Sequence, residues 1–97
     1  MQAAGLHPTD QVVAREITVT GRVQGVGYRP FVYRVAHELN LKGTVLNGSG
    51  KVFIHAEGME QDLDRLEQAL TESAPPLAQP VVRSVRNVSG VSHVQLK

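Results

Sequence analysis

Cysteine is absent from this 97-residue chain, so no disulfide closes a loop, no thiolate holds a metal, and cysteine usage says nothing about the redox compartment. Aromatic residues are scarce. Two Tyr and two Phe do not make the stacking platform that single-stranded nucleic acid needs. Neither sign of charge dominates: ten Lys and Arg stand against nine Asp and Glu, for a net charge of +1, which gives no field to draw nucleic acid or a membrane surface. No apolar run approaches the ~20 residues of a membrane span and no signal peptide is recognisable, so the cytoplasm is the expected compartment. Internal repeats and low-complexity segments are also missing.

What the chain does have is periodicity, with 41% hydrophobic residues in a length that allows one domain. Ile17, Val19 and Val23 alternate with Thr18, Thr20 and Arg22, predicting a half-buried strand from Arg15 to Val23. Phe31, Val32, Val35, Ala36 and Leu39 recur at helical spacing, with Gly43 as the expected stop. Thr44 to Asn47 and Lys51 to Ala56 read as strands joined through the three-residue turn Gly48-Ser49-Gly50, with His55 pointing out to solvent. Met59, Leu63, Leu66 and Leu70 mark a second helix whose acids Glu60, Asp62, Asp64 and Glu67 form a solvated face. A proline-rich stretch ending at Pro80 leads into a fourth strand, where Val81-Val82 blurs the alternation, and Val94 and Leu96 suggest a short extra strand. Residues 1–13 lack a period and contain Gly5, His7 and Pro8, predicting a flexible tail before a domain spanning 14–97. The order predicts an α+β, ferredoxin-like βαββαβ sandwich, an antiparallel sheet with both helices on one face.

Between the first strand and the first helix lies Gly21-Arg22-Val23-Gln24-Gly25-Val26-Gly27-Tyr28-Arg29-Pro30. Glycines let successive backbone N–H groups turn inward, and the free N–H groups of a helix start favour negative charge. Arg29 adds a permanent cation with a planar fork of donors suited to phosphate. Pro30, taken as the first helical residue, would make Arg29 the hinge between loop and helix. A Walker loop needs Gly-Lys-Ser/Thr where this chain has Gly27-Tyr28-Arg29, and the dinucleotide fingerprint needs glycine at Pro30. Neither ATP nor NAD chemistry is indicated, and a simple glycine turn is the bland alternative. The helical crossover makes the first two strands parallel. Arg29, just after the first, and Asn47, at the end of the second, are therefore expected at one edge of the sheet, although an Asn before Gly48 is also a common turn residue.

The run from Gly21 to Arg29, with Gly43-Thr44-Val45-Leu46-Asn47 and Val52 to Gly58, resembles the acylphosphatase family over nearly all of residues 17–97. Arg29-Pro30-Phe31-Val32, Leu39-Asn40-Leu41 and Pro75-Pro76-Leu77-Ala78 resemble one branch of it, the N-terminal acylphosphatase-like domain of the carbamoyltransferases that mature nickel–iron hydrogenases. The resemblance implies hydrolysis of small acyl phosphates, carbamoyl phosphate in that branch, without a metal or other cofactor. It implies phosphate binding by Arg29 and the amides of Gln24, Gly25, Val26, Gly27 and Tyr28, and catalysis by Arg29 and Asn47, the latter holding the attacking water. The implied partners are the acyl phosphate, inorganic phosphate, downstream domains of a parent protein and a hydrogenase-maturation protein, with no nucleic acid and no membrane. So sparse a site suits the chemistry: a carboxylate or carbamate leaves readily as an anion, and what remains is to neutralise the phosphoryl oxygens and align a water. Two features depart from the family pattern, Tyr28 in place of Phe and a turn after Asn47 shorter by a residue. A free-standing acylphosphatase and a non-catalytic phosphate-binding or interaction module are the alternatives.

Overall fold

The computed structural model describes residues 12–88. They form β1 (Val12–Arg22), α1 (Tyr28–Glu38), β2 (Lys42–Gly48), β3 (Lys51–Met59), α2 (Glu60–Glu72) and β4 (Gln79–Val88). The sheet order is β2-β3-β1-β4, with every neighbouring pair antiparallel. Since β1 and β2 are each antiparallel to the β3 between them, they run parallel, and their C-terminal ends share an edge. This is the expected βαββαβ arrangement. The region of Val94 and Leu96 lies outside the described residues, as does most of the 1–13 segment. Its last two residues, Val12 and Val13, belong to β1 and pair with Met59 and Gly58, because a backbone ladder continues past the point where side-chain alternation fades.

One face of the sheet carries the core. Ile17, Val19, Val45, Val52, Ile54 and Ala56 from the strands pack with Tyr28, Phe31 and Val32 of α1 and Leu63, Leu66 and Leu70 of α2, so both helices cover the same face. The three α2 leucines are fully buried, and burial of each contributes about 1.5–3 kcal/mol. Tyr28 is buried too, and its hydroxyl donates to the Leu70 carbonyl at 2.9 Å. That carbonyl lies in the last turn of α2, where helical partners run out. The phenol therefore links the start of α1 to the end of α2, and burial pushes its pKa up.

Several local expectations need correction. Helix α1 is stopped by Asn40, not Gly43. Asn40 has φ 60°, and the Leu41 and Asn40 amides donate to Ala36 O and His37 O at 2.8 and 3.0 Å, a Schellman closure that Asn tolerates in place of Gly. Gly43 lies in β2, where a Cβ would run into the His55 carbonyl. The turn after β2 has two residues: Gly48 still pairs with Lys51, and Ser49 and Gly50 take φ 51° and 76°, the type I′ geometry that suits strand twist. The blurred alternation at Val81-Val82 reflects a bulge in β4. Val82 pairs with Val19 and Ser84 with Thr18, leaving Arg83 as the extra residue that resets the phase.

The acidic side of α2 is not wholly solvated. Arg15, in phase with Ile17 and Val19 and only 4% exposed, reaches Asp64 and Glu67 at 2.8 and 2.7 Å and Asn87 Oδ1 at 2.7 Å. One buried guanidinium thereby joins β1, α2 and β4, as its fork of donors allows. No buried side-chain polar atom among the described residues is left without a partner.

Candidate functional site

The loop from Val23 to Gly27 is pinned from beneath by Val23, which is buried, and Val26, which packs against the core. Gln24, Gly25 and Gly27 are exposed. Gly25 and Gly27 have φ 71° and 79°, and a Cβ on either would meet nothing within 4 Å. Backbone conformation, not crowding, is what calls for glycine here. Gly27 is the N-cap of α1, in the left-handed region and without a side-chain cap. Helix α1 begins at Tyr28, so Arg29 is its second residue and Pro30 its third, not a hinge and a first residue. Proline is accommodated because first-turn N–H groups have no carbonyl partner to lose.

The two helix starts differ in charge. Glu60 and Asp62 occupy the first turn of α2, whereas the first turn of α1 contains no acid. Helix α2 therefore neutralises its own positive end, while the end of α1 stays positive and carries Arg29 in addition. Arg29 is exposed and has no side-chain partner among the described residues.

Asn47 stands at the same end of the sheet. It pairs with Val52, which pairs with Val19, placing the Asn47 and Val19 backbones about 10 Å apart across two strand spacings. In phase with the buried Val45, it lies on the helix-bearing face and is itself exposed. The Gln24 side chain joins the two halves, its Nε2 donating to the Lys51 carbonyl at 3.3 Å. The fold thus gathers the residues 24–29 loop, Arg29 and Asn47 at one edge, with Gln24 also making a side-chain tie that its expected role as an amide donor did not include. Three described cavities lie elsewhere.

A second cluster, on the open face of the sheet, went unrecognised because His55 was expected simply to face solvent. It does point away from the core, but it is half-buried, opposite Glu16, which in turn pairs with Arg86. Its Nδ1 lies 3.3 Å from Glu16 and its Nε2 3.0 Å from Glu57, while Arg86 donates to Glu16 at 2.8 Å. Glu57, and then Glu16, raise the His55 pKa above its ordinary 6.5; Arg86, and then His55, lower that of Glu16 below 4.5. The His55 contribution to stability is complete below pH 6.5 and fades as pH rises through the raised value, whereas that of Glu16 is complete above 4.5 and fades as pH falls through the lowered one. Such partly exposed pairs contribute under about 1 kcal/mol. His55→Gln should therefore lessen the fall in Tm between about pH 6 and about pH 9 by roughly 2–4 °C. A variant whose melts keep the parental pH slope would contradict the assignment.

Among the described residues, no helix is long and apolar enough to cross a membrane, and no group of His, Asp and Glu side chains is placed to hold a metal ion. Residues 15–90 match the acylphosphatase family. The chain belongs to that family of hydrolases. It is 52% identical over 68 residues to the acylphosphatase of Archaeoglobus fulgidus, covering 69% of this chain and 75% of that enzyme. It is 50% identical over 68 residues to carbamoyltransferase HypF2 of Cupriavidus necator, covering 70% of this chain and spanning only 8% of that much longer protein. The crystal structure of the Bacillus subtilis acylphosphatase is similar with a TM-score of 0.68 and 36% identity, over 78% of this chain and 82% of that one.

Proposed function

We propose that this chain hydrolyses the carboxyl–phosphate bond of small acyl phosphates, carbamoyl phosphate foremost. The observation that carries the reading is the joint placement of an acid-free, uncapped helix start bearing Arg29 and of Asn47 at the same sheet edge. The amides of residues 24–29 and the Arg29 guanidinium hold the phosphoryl oxygens and balance their charge. Asn47 orients a water in line with the bond to the leaving oxygen. The water oxygen bonds to phosphorus, the phosphorus–oxygen bond to the acyl group breaks, and the departing carboxylate or carbamate keeps the electron pair. The proton from the water passes to the phosphate product or to solvent.

The likeness to a carbamoyltransferase, together with the Arg29-Pro30-Phe31-Val32 and Pro75-Pro76-Leu77-Ala78 segments, supports carbamoyl phosphate as the substrate and a place as the phosphate-cleaving part of a larger hydrogenase-maturation protein. The match that spans 75% of an acylphosphatase favours a second reading, a free-standing enzyme of broad range. Phosphate release from carbamoyl, acetyl and benzoyl phosphate separates them. The first reading expects the highest kcat/KM for carbamoyl phosphate, and equal values would favour the second. No release from any of the three would leave an anion-binding module.

A further inference from the structure

Among the described residues, the strand β2 that carries Asn47 is the outermost on its side and pairs with no strand but β3. Within the described residues, its outward N–H and C=O groups meet no neighbouring strand. The proposed mechanism requires Asn47 to be held closely in place, because a water displaced by 1 Å can lower a rate about a hundredfold.

Two side chains tie this strand to the element that carries the anion loop. The Val45 amide donates to the Tyr33 hydroxyl at 3.3 Å, and that hydroxyl donates back to the Val45 carbonyl at 3.5 Å. A single phenol thus takes both bonds that a neighbouring strand residue would exchange in an antiparallel pair. Its two ends are well chosen. Tyr33 follows Arg29 by one helical turn, on the same side of α1, and Val45 precedes Asn47 by one strand repeat, on the same face of β2. Beyond Asn47, the Gln24 side chain holds the Lys51 carbonyl at 3.3 Å, and Lys51 is the partner of Gly48. Asn47 is therefore bracketed by one tie on each side, both anchored in the stretch from Gln24 to Tyr33.

We propose that Tyr33 and Gln24 are positioning residues that fix Asn47 relative to Arg29 and the anion loop. Neither side chain need touch the substrate. The inference rests on the reaction proposed above, and its test keeps the two apart. Tyr33→Phe removes only the hydroxyl of a half-exposed ring, and Gln24→Met removes only the donor of an exposed side chain. Steady-state hydrolysis of acetyl phosphate, with inorganic phosphate as the competitive inhibitor, gives kcat and the phosphate inhibition constant for each variant, and a thermal melt accompanies them.

Each variant is expected to lose about 5- to 20-fold in kcat, a displacement well short of 1 Å, with the phosphate constant within about threefold of the parent and Tm little changed. A purely structural role would not split kcat from phosphate affinity in this way. Parental kcat in both variants, or phosphate affinity lost in step with kcat, would overturn the positioning role while leaving the acylphosphatase reading intact. If Tyr33→Phe melts early, Gln24→Met decides by the same two constants. A parent chain that hydrolyses no acyl phosphate would overturn the proposed function, and the positioning role with it.

Discussion

Arg29→Ala is expected to abolish both phosphate binding and acyl phosphate turnover. The phosphoryl group is anionic in the ground state and stays so through the transition state, and the amides of the loop supply only partial charges. Arg29 is the full positive charge in the first turn of α1, and its planar fork can hold two phosphoryl oxygens at once. Arginines that meet transferring phosphoryl groups contribute about 10³- to 10⁵-fold in rate, so kcat/KM should fall by at least roughly a thousandfold, and inhibition by phosphate should fade with it. The fold should survive, since the side chain is exposed and partners no other described residue. Arg29→Lys keeps the charge without the fork and should recover only part of the loss. An Arg29→Ala chain that still binds phosphate as the parent does would place the anion somewhere else.

Asn47→Ala is expected to behave differently. Its side chain is assigned to the water, which phosphate binding alone does not require. Removing one preorganised polar group costs about 10²- to 10³-fold in kcat, while the phosphate inhibition constant should remain near the parental value. Asn47 pairs with Val52 through its backbone, which alanine retains, and circular dichroism with a thermal melt can establish that both variants are folded. If Asn47→Ala loses phosphate as completely as Arg29→Ala, Asn47 is a ligand of the anion. If it turns over at the parental rate, Asn47 is a turn residue ahead of Gly48 and the water is held by another group.

The periodic parts of the fold were legible in the chain. Ile17 and Val19 mark a strand by twos, and Leu63, Leu66 and Leu70 a helix by threes and fours, because burial on one face imposes those repeats. The parallel relation of β1 and β2 follows from the helix between them, and that relation alone places Arg29 and Asn47 toward one edge of the sheet. What resisted reading depends on partners distant in sequence. Arg15 is in phase with the core, which was the available signal, but its meaning lies in Asp64, Glu67 and Asn87. His55 looks solvated until the register sets it opposite Glu16. Tyr33 looks like an ordinary exposed helix residue until β2 is placed beside α1. Boundaries failed for local reasons. Asn40 took the left-handed role assigned to Gly43, and Pro30 fitted two positions further into its helix than expected, since the whole first turn tolerates a missing N–H.

In the proposed reaction, water attacks the phosphorus and not the carbonyl carbon of an acyl phosphate held at Arg29. Hydrolysis of acetyl phosphate in ¹⁸O-enriched water, with both products analysed by mass spectrometry, tests it most directly. Attack at phosphorus places the label in inorganic phosphate and leaves acetate unlabelled. Label in acetate would mean that water attacks the carbonyl carbon, and it would contradict the account of this site.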